Sequence, residues 1–456
     1  MTDGFSLAEA AARIGGALHG DGSLVPTALS IDTRTIQPGE CFVALRAERD
    51  GHAFAAQAVA QGATSLLVDH RLDLPVPQLV VGDTLASMQA WGQARLEAVR
   101  PRAVFGVTGS VGKTSTKELL ASAVSGWKTP GNRNNTLGLP QALATMPSGR
   151  AAAVLEMGMS TPGEIRRLTE IAPLDFGLIT LVGTSHMENF TEGQEGIAKA
   201  KGELVAGLRP GGAWVHLSTD PWCAWIAQQP WAAHALAVPV GPGAEFGWEG
   251  WRSLGPKGEA FTLRTPDHRA PVAIQLRGEH QVRNAALAAA VALLAGWPLA
   301  EVVAGLAQAE PEWGRGRLTA LKDGGWILDE SYNASPDSIL ACGASLMELQ
   351  GGEPVAVLGA MRELGGTAEA AHRRVGEGLK ALGLKRLLAF GEHAPAYAEA
   401  FGGGGRAFPD FETLRDDEAG LTTLSADARV LVKGSRFYRT ERAVEWLQCH
   451  LGAVSK

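Results

Sequence analysis

Residues 103–120 read AVFGVTGSVGKTSTKELL, an apolar strand that breaks into a glycine-rich turn and restarts as a helix. No other feature of the chain restricts its fold as strongly. A strand, a turn of backbone N–H groups and a helix N-terminus gather around one point, and that arrangement binds phosphate oxygens. Lys113 adds a positive charge there, and the Thr114 hydroxyl is suited to ligate Mg²⁺. The spacing is unusual. The common phosphate-loop pattern places its first glycine five residues before Gly112, where this chain has Val107; Gly106 comes one place early and Gly109 two places late.

The alternation continues beyond this stretch. From about 100 to 310, the apolar segments AVFGVT, AAAVLEMG, DFGLITLV and GAWVHL each precede a helix-like stretch, which predicts βαβ units and a mostly parallel sheet. Shorter β-like pieces, AFTLRT and VAIQLRG, interrupt it before the helix HQVRNAALAAAVALLAG. After AEPEWGRGR, a link of proline, glycine and charge, the pattern resumes with GWILDE, EPVAVLGA, KRLLAFG and ARVLVKG. Before residue 100 the chain is mixed: SLAEAAARIG and TLASMQAWGQARLEAV have helical character, and ECFVAL and TSLLVD read as short strands. A chain of 456 residues is too long for one core. The expected fold is α/β in three domains: a small mixed α/β N-terminal domain (1–99), a central P-loop parallel-sheet ATPase domain (100–310) and a C-terminal Rossmann-like α/β domain (311–456). Two α/β domains joined by a link suggest a cleft that closes on ligands.

Composition removes several function classes. A net charge of −7 offers no basic surface for nucleic acid, and no run of about 18 apolar residues predicts a membrane span. The opening MTDGFSLAEAAARIG carries acid and lacks the apolar core of a secretion signal. Four scattered cysteines without a C-x-x-C pair read as reduced thiols of a cytoplasmic protein. The chain is read as a monomer.

A nucleotide–magnesium site also needs an acid. AAAVLEMG delivers Glu156 to the C-terminal end of a parallel strand, where ligands bind, although Glu156 also stands where it can cap the following helix in STPGEI. LITLVGTSHMENF brings His186 to the same rim. EGIAKAKGEL places Lys199 and Lys201 on a helix, and composition alone gives no reason to single out Lys201.

Taken together, these segments resemble the Mur ligases, ATP-dependent amide-forming enzymes that build the peptide of the peptidoglycan precursor. That family's loop has the form TGSxGKT, as residues 108–114 do, so the displaced glycine is the family's own version of the turn. GNRNNTLGLP (131–140), EMGMSTPGEI (156–165), GEHQVRNAALAA (278–289), GRL (316–318), LDESYNASPDS (329–338), VLGAMRELG (357–365) and VLVKGSR (430–436) extend the match. In the first block, IDTRTIQPGECFVAL and DGHAF are similar to its uridine-diphosphate-binding elements. Within the family, the 156–165, YNASPDS and 357–365 motifs look most like the branch that adds D-alanyl-D-alanine, and no DNPR motif of the diamino-acid-adding branch is present.

The resemblance implies roles residue by residue. Thr108, Gly109, Ser110, Val111, Gly112, Lys113, Thr114 and Ser115 would hold ATP, with Asn284 facing adenine, Arg317 reaching the nucleotide from the link and Asp329 approaching from the third domain. Thr114, Glu156 and His186 would position Mg²⁺, and Lys201, if carbamylated, would hold a second ion; the catalytic set is Lys113, Glu156, His186 and Lys201. Carbamylation starts from a neutral amine, so Lys201 is expected to be partly buried with a lowered pKa. Asp32, Thr33, Arg34, Asp50, Gly51, His52, Asn134, Asn135 and Thr136 would bind the uridine-nucleotide substrate. The substrates implied are UDP-N-acetylmuramoyl-tripeptide and D-alanyl-D-alanine. The attacking amine calls for a general base; His186 and Glu188 are near in sequence, and nothing chooses between them. Two departures fall in the third domain: Glu330 stands where the family commonly has aspartate, and Ala360 where it commonly has an acid. Folylpolyglutamate synthase shares the core chemistry but lacks the uridine-nucleotide domain, so IDTRTIQPGECFVAL tells against it.

Overall fold

In the computed structural model, which describes residues 3–418 and 420–454, strand Ala103–Thr108 lies inside a six-stranded, all-parallel sheet. Its neighbours are Ala152–Glu156 on one side and Leu174–Ile179 on the other. All six of its residues are buried because helices cover both faces, the usual fate of a parallel sheet. Phe105 and Val107 pack toward helices Lys113–Ala123 and Glu279–Leu294, whereas Val104 packs with Leu155, Leu168 and Leu204 on the opposite face. The alanines of Glu279–Leu294, from Ala285 to Ala290, are fully buried against the first of these helices.

The chain leaves Ala103–Thr108, travels to the sheet edge at Trp127–Lys128, returns through Ala152–Glu156 and then crosses to Leu174–Ile179. The direction of winding therefore reverses beside the glycine turn, and α/β sheets open a ligand crevice at that point. Val107 now has an explanation. It is a wholly buried strand residue, paired in register with Glu156, and its carbonyl accepts from the Met157 N–H at 2.8 Å. The strand runs through Thr108, so the turn begins only at Gly109.

The β-like pieces after 245 form a separate antiparallel sheet, Gly247–Ser253, Glu259–Arg264 and Arg269–Ile274. Its alternate residues Phe261, Leu263, Val272 and Ile274 join the core beside Glu279–Leu294. The sheet of the third domain has six strands in the order Arg317–Ala320, Trp326–Glu330, Arg429–Lys433, Pro354–Gly359, Arg386–Phe390 and Gly405–Phe408. Five are parallel, but Arg317–Ala320 pairs antiparallel with Trp326–Glu330. The antiparallel pair is joined by a short hairpin turn, which needs no crossover helix.

The first sheet is also larger than its sequence suggests. To Cys41–Val43 and Ser65–Val68 it adds Leu29–Ser30 and Gln78–Val80 in parallel, and Ala17–His19 antiparallel at the edge. Helix Thr84–Val99 leads out of it and docks on the central domain. Its Gln89 side chain donates to the Thr136 carbonyl at 3.1 Å, and Arg95 donates to the Met146 carbonyl at 2.8 Å.

Candidate nucleotide and ligase site

The glycine turn is shaped by two positions that exclude a side chain. Gly109 has φ +148°, and a Cβ there would lie 1.8 Å from Thr180 Oγ1; Gly112, at φ +83°, precedes helix Lys113–Ala123 and lies against the Asn284 amide. The turn is pinned to the neighbouring strand end. Ser110 N–H donates to the Leu181 carbonyl at 2.8 Å, and Thr180 Oγ1 donates to the Val111 carbonyl at 2.5 Å. Gly183 N–H in turn donates to Ser110 Oγ at 2.9 Å. Lys113 Nζ donates to the Gly109 carbonyl at 2.7 Å. Burial lowers its pKa, with Glu156 opposing that shift and Arg315 adding to it.

Glu156 occupies the adjoining strand end, buried, and accepts from Thr114 Oγ1 at 2.8 Å and Asn134 Nδ2 at 2.9 Å. It does not cap the following helix, because the Ser160 and Thr161 amides donate to Glu164 instead. Behind it lies Lys117, fully buried, which donates to the Thr129 and Gly131 carbonyls and approaches Glu118 at 3.2 Å and Glu156 and Glu312 at 3.8 Å. Asn135 Oδ1 accepts from Gly138 N–H at 2.7 Å, at the start of helix Gly138–Ala144. Asn284 donates to Gln281 at 3.0 Å, and Gln281 reaches Ser115 Oγ at 3.5 Å.

A cavity of about 780 Å³ opens above the turn, walled by the central domain on one side and the third domain on the other. Ser110 to Ser115, Asn134, Asn135, Glu156, His186 and Asn284 line it, so most of the expected nucleotide residues converge; Thr108 and Gly109 form the floor behind them. His186 Nδ1 is 2.8 Å from Glu363 Oε2, a contact between the two walls that lowers the pKa of Glu363. Both residues have φ +63°. Glu188 lies beside Gly365 of the same third-domain segment.

Three further expected residues lie outside the lining. Arg317 heads the edge strand opposite Asp329 and is exposed, whereas Arg315 faces the cavity with its guanidinium 4.0 Å from the Tyr332 ring. Gly314 and Gly316, at φ +67° and +92°, reverse the chain around Arg315, so the two arginines point to different sides. Asp329 is buried and accepts from Ser331 N–H at 3.0 Å and Ser331 Oγ at 2.6 Å; burial raises its pKa. Its neighbour Glu330 lines the cavity instead, paired with Lys433 at 3.3 Å, because successive strand residues face opposite ways. Lys201 is buried, and burial together with Lys113 puts its pKa well below the ordinary value.

Sequence reasoning missed Arg315, Glu330, Lys433, Arg362, Arg436 and His280, all lining the cavity. Burial brings the pKa of His280 down to about 4.

Of the uridine-nucleotide candidates, Asn134 and Asn135 line this cavity, whereas Asp32, Thr33, Arg34, Asp50, Gly51 and His52 sit on one edge of the first sheet, where the parallel strands Leu29–Ser30, Cys41–Val43 and Ser65–Val68 all end. Arg34 clasps Asp32 through Nε at 2.9 Å and Nη2 at 2.6 Å, holding that carboxyl at about 2; Thr33 lies between them. Asp50 caps the turn Gly51–Phe54 and bonds His52 Nδ1 at 2.6 Å. His52 Nε2 accepts from the Asp69 N–H at 3.0 Å. His52, Asp69 and His70 come close enough to suggest a metal, but both His52 nitrogens are already engaged, which makes the cluster a scaffold for the strand ends. Thr136 lies between the two regions through its carbonyl bond to Gln89.

Comparison with known proteins gives a consistent result. Residues 107–292 match the model of the Mur ligase middle domain, and residues 314–436 that of the Mur ligase, glutamate ligase domain. The chain is similar to the UDP-N-acetylmuramoyl-tripeptide–D-alanyl-D-alanine ligase of Escherichia coli (strain K12), 36% identical over 430 residues that cover 92% of this chain and 93% of that one. A crystal structure of MurF from Acinetobacter baumannii superposes with a TM-score of 0.84 at 30% identity, covering 98% and 99% of the two chains. MurF ligase from Thermotoga maritima in complex with ADP gives a TM-score of 0.78 at 28% identity, covering 93% and 97%.

Proposed function

The chain belongs to the Mur ligase family, and on that premise we propose that it joins D-alanyl-D-alanine to UDP-N-acetylmuramoyl-tripeptide with consumption of ATP, in peptidoglycan precursor synthesis. One arrangement carries this: a phosphate-binding turn with Lys113 and the Thr114–Glu156–Asn134 cluster faces a wall of third-domain cations across a single cavity.

A carboxylate is a poor electrophile. Transfer of the ATP γ-phosphoryl group to an oxygen of the tripeptide carboxylate breaks the bond to ADP and forms an acyl phosphate. Two anions must meet for this, so the chain supplies positive charge: Lys113, the turn amides and Arg315 converge on the transferring group. The free amine of the dipeptide then attacks the acyl carbon; the C–N bond forms, phosphate leaves and the amine gives up a proton. The walls joined by His186 and Glu363 keep water from the acyl phosphate.

Hard oxygen donors at Thr114 and Glu156, already 2.8 Å apart, suit Mg²⁺, with His186 on the same rim. When bound, the ion neutralises charge between the phosphates. Lys201 is proposed to be carbamylated: its buried, low-pKa amine can take up CO₂ and become an acid. Intact-mass measurement of enzyme kept in bicarbonate is expected to show one added CO₂ that Lys201→Ala lacks; a bare amine in fully active enzyme would reject the modification. The free thiols and the nucleotide substrates fit a cytoplasmic, monomeric enzyme, and no described helix is long and apolar enough to cross a membrane.

Phosphate release tests the activity. It is expected only when ATP, UDP-N-acetylmuramoyl-tripeptide and D-alanyl-D-alanine are all present, and a panel of tripeptides will identify the third peptide residue accepted. Release indifferent to the dipeptide would overturn the assignment.

A further inference from the structure

The third domain turns four cations toward the cavity: Arg315, Arg362, Lys433 and Arg436. Three are engaged. Lys433 pairs with Glu330 at 3.3 Å, and Arg436 pairs with Glu441 at 2.8 Å. Arg315 stacks on Tyr332 and lies close enough to Lys113 to act on its charge, which puts it on the phosphate side.

Arg362 is different. It is exposed and, like Arg315, forms no ion pair with a carboxylate among the described residues, but it is set at the junction of the walls rather than beside the turn. Its guanidinium rests 4.5 Å above the ring of Phe437, which is itself 67% exposed. The next residue, Glu363, holds His186 of the central domain, so Arg362 is stationed where the two walls meet.

The incoming dipeptide has an amine at one end, a carboxylate at the other and two methyl groups between. Two residues span about 7 Å when extended, so the receptor for the carboxylate stands one dipeptide length from the acyl carbon, clear of the phosphates. Arg315 is too close to Lys113 for that task. Arg362 stands where the two walls meet and offers a guanidinium fork for a carboxylate beside an aromatic face for methyl groups. Stacking on Phe437 restrains the side chain beforehand, which lowers the entropy cost of binding.

We propose that Arg362, seated on Phe437, receives the C-terminal carboxylate of D-alanyl-D-alanine and sets the preference for a dipeptide with a free acid end. This assignment rests on the ligase activity above. Steady-state kinetics of the full chain with D-alanyl-D-alanine and with its C-terminal amide test it. The native enzyme is expected to favour the acid by about 10- to 100-fold in kcat/KM. Arg362→Gln should raise KM for the acid by a similar factor, leave the amide unchanged and leave KM for ATP and for the uridine nucleotide within about twofold. Arg362→Lys should recover part of the preference, because the charge remains and the fork is lost. Equal losses for acid and amide, a rise in KM for ATP instead, or a native enzyme indifferent to the acid would each overturn the role of Arg362. In all three cases dipeptide-dependent phosphate release still reports whether the ligase assignment stands. Should Arg362→Gln fold poorly, the native acid-to-amide ratio and Arg362→Lys decide the question.

Discussion

Lys113→Ala is expected to remove phosphoryl transfer, lowering kcat by at least about 10³-fold, while the protein stays folded. One preorganised donor at a developing charge is worth about 10²–10³ in rate, and Lys113 is both a donor and a full charge facing the transferring group. The structure separates this loss from unfolding. Lys113 is half-buried, and its one hydrogen bond is to the Gly109 carbonyl within its own turn. Burial lowers its pKa in the folded state, so the folded chain holds that proton less tightly than the unfolded chain does. The charge therefore opposes folding at neutral pH, and its contribution improves as pH rises through the lysine range. Its removal should leave stability unchanged or slightly increased, as is common where a site is built for chemistry rather than stability. Affinity for the uridine nucleotide should also survive, because Asp32, Thr33, Arg34, Asp50, Gly51 and His52 lie on the edge of another sheet. Single-turnover phosphate release, a melting curve and nucleotide binding on the same preparation check all three. Turnover within tenfold of native would mean that the turn does not handle the transferred phosphate.

How much of this was legible in advance depended on the range of the interactions. The strand, turn and helix around Gly112 are encoded within about twenty residues, and Glu156 and His186 follow strands whose apolar character marks them as buried, so the central wall of the cavity was readable. The opposing wall was not. Arg315 and Arg317 are two residues apart in one motif, and only the positive φ of the glycines beside Arg315 decides which of them faces the cavity. Asp329 and Glu330 differ only by strand alternation, whose phase is set by pairing with Arg317–Ala320 and Arg429–Lys433. Arg362 acquires its setting from Phe437, far along the chain. Strands of two or three residues, such as Leu29–Ser30 and Ala17–His19, are too short to show a period at all.

Lys117 is the sharpest case, because its sequence context, TSTKELL, reads as an ordinary solvated helix lysine. Its side chain is fully buried instead, and three carboxylates surround it: Glu118 from the same helix, Glu156 from the strand end and Glu312 from the link to the third domain. Lys117→Met keeps the length of the side chain and deletes the charge. Breaking a buried ion pair by removing one partner costs about 3–5 kcal/mol, since the remaining charges lose their counterion, and a loss of that size is expected in the unfolding of the central domain. The loss should depend on pH. Desolvation pushes Glu118 up, yet bonds to Lys128 and Lys117 prevail and leave its pKa lowered, so it contributes stability above its unfolded pKa that is lost on acidification. Glu312 is raised, by burial first and then by its hydrogen bond to Glu118, so its contribution is present below its unfolded pKa and fades as pH rises. Without Lys117 both carboxyls shift upward. The deficit of the variant should then be widest at about pH 8 and shrink toward about pH 5, as these acids become neutral. Urea unfolding of native and variant protein at the two pH values measures the difference. Adding Glu312→Gln to Lys117→Met should return part of the stability at the higher pH, because one of the unpaired acids is gone. A loss below about 1 kcal/mol with no pH trend would show that the three carboxylates are balanced without Lys117, and that Lys128 alone holds the cluster.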